Sequence, residues 1–105
     1  MTTSMPASGP KTVDRKTIRV AITGRVQGVW YRSWTIEQAS ARGLSGWVRN
    51  RRDGSVEALF SGPIAQVDAM VLACHTGPKA AQVDNVEVFE AEGLVAGGFK
   101  ELPTA

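Results

Sequence analysis

The sequence predicts an α+β domain with element order β-α-β-β-α-β and a short fifth strand. This is the split βαβ arrangement, in which an antiparallel sheet carries two helices on one face. Three observations predict it. Apolar side chains alternate with a period of two at residues 17–23 and 55–61 and again around Val86-Glu87-Val88. Between these runs lie a segment free of Gly and Pro at 33–42 and an apolar stripe at three- and four-residue spacing, Ile64, Val67, Val71 and Cys74. Arg51-Arg52-Asp53-Gly54 has hairpin chemistry, so the strands on either side of it pair antiparallel.

In chain order, residues 1–16 are polar, contain Pro6, Gly9 and Pro10, and show no periodicity, which reads as a flexible leader outside a domain spanning 17–105. The first strand, 17–23, buries Ile18, Val20 and Ile22. A helix at 31–42 stops at Gly43. Strands follow at 44–50 and 55–61, the latter with Val56, Ala58 and Phe60 on one face. Gly62-Pro63 opens the second helix, with Pro in its first turn, and Gly77-Pro78 ends it. A fourth strand covers 84–90, and Gly97-Gly98 leads into the fifth at 99–102.

A chain of 105 residues holds one domain with a core that needs no metal or disulfide. The single Cys74 leaves no internal disulfide and no zinc-binding pair, which fits a reducing compartment. No stretch reads as a signal peptide or a membrane span. The expectation is a cytoplasmic monomer without membrane contact. The net charge of +2 conceals an asymmetry: residues 1–52 carry ten Lys/Arg against Asp14 and Glu37, and the remainder two against eight acids. A basic half suggests a small anionic ligand or nucleic acid.

The chemistry concentrates between the first strand and the first helix, at Gly24-Arg25-Val26-Gln27-Gly28-Val29-Trp30-Tyr31-Arg32. A strand–turn–helix joint presents free backbone N–H groups and the positive end of the helix dipole, which together cradle an anion. An arginine at the helix start adds a planar fork of donors suited to a phosphoryl group. On spacing alone, the stretch is equally a turn with incidental arginines. Topology favours the site. In a split βαβ sheet, strands one and two end on the same edge, about 10 Å apart, so Asn50 comes within side-chain reach of the loop.

These residues resemble a known family. The loop 24–32, then Gly46-Trp47-Val48-Arg49-Asn50, then Asp53-Gly54-Ser55-Val56-Glu57, are similar to the acylphosphatase signature in order and spacing. The Gly77-Pro78 turn and the ending from Phe99 through Leu102-Pro103-Thr104 are similar too. The resemblance implies a ferredoxin-like domain that hydrolyses acyl phosphates to a carboxylate and inorganic phosphate, with no metal and no cofactor. It makes Arg32 the phosphate-binding arginine and Asn50 the residue that positions the attacking water. The backbone of Arg25, Val26, Gln27, Gly28, Val29 and Trp30 becomes the phosphate cradle. Trp30, Tyr31 and Arg42 depart from the usual pattern. Tyr31 is expected in the core and Trp30 at the mouth of the site. Trp34 and Trp47 are expected between helix and sheet or at its rim.

The chemistry is consistent with that reading. Phosphoryl transfer asks chiefly for positioning and charge stabilisation. A carboxylate is a weak base, with a free-acid pKa of ~4, and leaves without a general acid. Two competing readings share the fold: a single-stranded RNA binder and a catalytically silent anion-binding domain. The outward residues of the central strands, Arg19, Ala21, Thr23, Glu57 and Leu59, include no aromatic for stacking bases. Arg32 and Asn50 together argue against a silent domain. His75 is expected at the surface and Cys74 in the core, neither of them catalytic.

Overall fold

A computed structural model describes residues 14–93 and 95–105. The elements are β1 (Arg15–Arg25), α1 (Tyr31–Ala41), β2 (Ser45–Asn50), β3 (Val56–Pro63), α2 (Ile64–Thr76), β4 (Gln82–Ala91) and β5 (Phe99–Glu101). All seven expected elements form, and the five strands make a single sheet of order β4-β1-β3-β2-β5.

β1 is longer than the alternation 17–23 indicated. Arg15 and Lys16, assigned to the leader by the sequence, pair with Pro63 and Gly62. Lys16 also bridges to Asp68 of α2 at 2.7 Å. An apolar period cannot register such polar residues, which join the sheet through backbone bonds alone. The rest of the expected leader, residues 1–13, lies outside the described residues.

Four strands pair antiparallel, as expected, but β5 runs parallel to β2, with Val48 opposite Glu101. The sheet is therefore mixed. After β4 the chain passes from one edge of the sheet to the other and enters β5 in the direction of β2.

Both helices cover the face on which β1 presents Ile18, Val20 and Ile22 and β3 presents Val56, Ala58 and Phe60. α1 buries Tyr31, Thr35 and Ala39, one residue per turn. α2 buries Val67, Met70 and Cys74, whereas Ile64 and Val71 of the expected stripe are half-buried. Tyr31 sits between the helices and its hydroxyl donates to the Cys74 carbonyl at 2.7 Å. A buried phenol without a partner costs roughly 1–3 kcal/mol, so this bond fixes the start of α1 against the end of α2. That start bounds the candidate site.

Candidate active site

The sheet register brings two strand ends together. Val56 pairs with Ile22 on one side and with Asn50 on the other, so the ends of β1 and β2 are two strand spacings, ~10 Å, apart. These residues point to the helix side. β1 continues to Arg25, with a bulge in its pairing to β4 between Thr23 and Gly24. Gly24 has φ 123°, and a Cβ there would collide with the Gln82 carbonyl. Only glycine permits this close approach.

Two anchors and one stitch shape the following loop. Val26 and Val29 are buried in the core. The Gln27 amide donates to the carbonyls of Arg51 at 2.7 Å and Ser55 at 2.8 Å, tying the loop to the β2–β3 turn. That turn is itself held by Asp53, which accepts from the Ser55 backbone N–H at 2.9 Å and the Ser55 hydroxyl at 2.6 Å. Both bonds hold the Asp53 carboxyl below its usual range. The loop thus cannot shift independently of the strand end that carries Asn50.

Gly28, at φ 73°, and Trp30, at φ 68°, both adopt left-handed backbone. For a tryptophan this conformation is unusual. Trp30 is the N-cap of α1, provides no side-chain cap and stands 79% exposed. The first N–H groups of α1 have no intrahelical partner and carry the positive end of the helix dipole.

A cavity of about 330 Å³ opens at this junction, lined by Val26, Gly28, Trp30, Tyr31, Arg32, Ser33, Asn50 and Glu101. Arg32 enters from the first turn of α1 and Asn50 from the end of β2. The Asn50 Oδ1 is buried with no hydrogen-bond partner among the described residues. An orphaned acceptor of this kind is costly unless a ligand or water uses it. Glu101 arrives on β5 and accepts from the Arg32 guanidinium at 2.8 Å. Arginine has five N–H donors, and this contact uses one of them.

The expected site residues separate into two groups. Arg32, Asn50, Val26, Gly28 and Trp30 meet at the cavity. Arg25, Gln27 and Val29 do not line it: Arg25 closes the pairing with Gln82, Gln27 turns toward the hairpin and Val29 enters the core. The sequence reading missed Glu101 and the side-chain role of Gln27. Glu101 carries no local signal, because β5 has three residues and no alternation.

Other candidates fall away. Burial pushes the Cys74 thiol up to about 12, which keeps it protonated and unreactive at neutral pH. Burial likewise raises the Tyr31 phenol. His75 is exposed near the end of α2. Among the described residues, no group of three or more His, Cys, Asp or Glu is arranged to hold a metal.

The helix-free face of the sheet differs from expectation in one respect. Trp47 and Phe89 lie on it, in register with Leu59 and Arg19, where the sequence reading had put Trp47 between helix and sheet or at its rim. Both rings are covered by arginines of the chain itself, Phe89 by Arg19 at 4.4 Å and Trp47 by Arg49 at 4.8 Å. Trp34 packs against the core and Tyr31.

The family model described as acylphosphatase matches residues 18–100. The chain belongs to the acylphosphatase family. A protein named acylphosphatase from Rhizorhabdus wittichii is 50% identical over 97 residues, covering 92% of this chain and 98% of its own. Another so named, from Rhodospirillum rubrum, is 54% identical over 89 residues, covering 85% and 98%. The solved structure of an acylphosphatase from Coxiella burnetii superposes with a TM-score of 0.81 at 30% identity, over 84% of this chain and 93% of that one. The loop after β1 and the end of β2 both lie within the residues that the acylphosphatase model spans. No helix among the described residues is long and apolar enough to cross a membrane.

Proposed function

We propose that this chain is an acylphosphatase that cleaves the carboxyl–phosphate bond of small acyl phosphates by attack of a positioned water. One observation carries the reading: Arg32 and Asn50 line a single cavity at the N-terminus of α1. Family membership supplies the reaction class.

The phosphoryl group sits at the loop 25–30, where backbone N–H groups and the helix dipole face its oxygens. Arg32 donates to the same group, with charge that counts most as the transition state loosens. The Asn50 Oδ1 accepts a hydrogen bond from the attacking water and thereby holds its oxygen toward phosphorus. Its otherwise unpaired state in a buried position supports this assignment. An amide is a poor base, so the water's proton passes to a phosphoryl oxygen. The carboxylate leaves without help from an acid. No residue of the site becomes covalently attached. The enzyme acts as a cytoplasmic monomer, a state that light scattering checks directly.

Hydrolysis of benzoyl phosphate in the presence of a chelator tests the reading. Turnover that persists under the chelator is the expected result, with inorganic phosphate inhibiting competitively at millimolar concentration. Absence of hydrolysis, or non-competitive inhibition by phosphate, contradicts it.

A further inference from the structure

The cavity holds one cation and one anion, and their relation limits which substrates fit. Arg32 is its only cationic lining residue among the described ones, and Glu101 its only acidic one. Glu101 is opposite Val48 in the β2–β5 register and therefore points to the helix side, the side of Arg32 and Asn50. Its carboxylate is 2.8 Å from an Arg32 nitrogen, and the two side chains are 45% and 36% exposed. The pair thus stands at the rim. The exposed Trp30 indole and Ser33 also line the cavity, and both are uncharged.

We propose that Glu101 is a specificity-determining residue that selects acyl phosphates with an uncharged acyl group against those bearing a second anion. The inference rests on the acylphosphatase reading of the same cavity. A phosphoryl group in the cradle uses the one available cation. A second anion on the acyl part, which must extend from the cradle past the rim, finds no cation of its own. It meets Glu101 instead, and Glu101 also occupies one Arg32 donor. Two like charges ~7 Å apart, at a dielectric between those of protein surface and water, disfavour binding by roughly tenfold. Trp30 offers an aromatic or aliphatic acyl group a flat apolar surface in the same place.

The experiment compares benzoyl phosphate with 4-carboxybenzoyl phosphate on the wild type and on Glu101→Gln, at low and at high salt. Intrinsic reactivity cancels when the ratio of the two kcat/KM values is compared between proteins. In the wild type the carboxylated substrate is expected to be about tenfold worse at low salt, and the penalty to shrink as salt screens it. In Glu101→Gln it is expected to fall to threefold or less and to lose most of its salt dependence. A role confined to supporting β5 or orienting Arg32 changes both substrates together and leaves the ratio where it was. A ratio unchanged within twofold overturns the proposal even though hydrolysis is normal. Failure of the wild type to hydrolyse benzoyl phosphate at all is a different result: it removes the acylphosphatase reading, and this inference with it.

Discussion

Two arginine–carboxylate groupings occupy opposite faces of the sheet and are built differently. On the helix-free face, Glu57 is all but enclosed, with its side chain 5% exposed. Its Oε1 accepts from Arg49 at 2.7 Å and Arg51 at 3.0 Å, and its Oε2 from Arg19 at 3.4 Å. At the cavity, Arg32 has a single 2.8 Å contact to a half-open Glu101. In the first grouping a carboxylate collects arginines; in the second an arginine keeps donors in reserve. Charge alone does not distinguish them. All four arginines fall in the basic half of the chain; three of them share Glu57, and two of these, Arg19 and Arg49, also cover the rings of Phe89 and Trp47. An arginine becomes available to a ligand through what its neighbours leave unsatisfied.

The largest expected effect comes from removing Arg32, the arginine that keeps donors free beside its single carboxylate contact. Arg32→Ala is expected to lower kcat/KM by roughly a thousandfold and to weaken phosphate binding, because its charge faces the phosphoryl group in both ground and transition states. Arg32→Lys is expected to recover little, since a point charge does not reproduce a planar fork. Melting should be nearly unaffected in both. A large loss of stability with normal phosphate inhibition would make Arg32 a structural residue like Arg49.

Glu57 is expected to behave in the opposite way. Glu57→Gln should cost about 2 kcal/mol in denaturant unfolding and leave the phosphate inhibition constant unchanged. The figure is modest because the three arginines are partly exposed and regain water. Burial pushes the Glu57 carboxyl up, but hydrogen bonds from Arg49 and Arg51 outweigh it and hold the group below its usual range. A lowered folded-state value means stability that is present above an unfolded carboxyl's ~4.3 and lost as pH falls through the folded value. The gap between wild type and Glu57→Gln should therefore narrow below about pH 4. A gap independent of pH would contradict the ionic account.

Gln27 joins the two regions, since its amide bonds to the carbonyls of Arg51 and Ser55 beside the Glu57 cluster. Gln27→Ala is expected to cost about 1 kcal/mol in stability and to raise the phosphate inhibition constant several-fold by loosening the cradle. Unchanged inhibition would mean that Val26 and Val29 hold the loop without it. The smallest effect is expected at Trp30. Trp30→Gly should stabilise the fold by up to ~1 kcal/mol at a left-handed position, checked by the shift in melting temperature.

The same comparison explains what could be read from the sequence. The core strands, both helices and the convergence of Asn50 with the loop follow from local signals: alternation, glycine stops, an Asp-Gly turn and sheet topology. The meeting of Arg32 and Asn50 at one cavity was legible for that reason, whereas the roles expected of them came from the resemblance to the acylphosphatase signature. The extension of β1 through Arg15 and Lys16 was not, because polar residues join a sheet without an apolar period. Glu101 was not, because its place depends on β5 pairing with a strand more than fifty residues earlier, Gly46 with Phe99. Trp47, expected between helix and sheet or at its rim, is placed by the register on the open face under Arg49, and no local signal foretells it.

The central claim is that Arg32 binds the phosphoryl group while Asn50 acts on the water. Titration of inorganic phosphate into folded Asn50→Ala, alongside a benzoyl phosphate assay, tests it most directly. Loss of a positioned nucleophile commonly removes a hundredfold or more in rate, on the order of 3 kcal/mol in the barrier. The account predicts that loss together with a phosphate affinity within about twofold of wild type. Retention of most turnover, or loss of phosphate binding in step with activity, would contradict it.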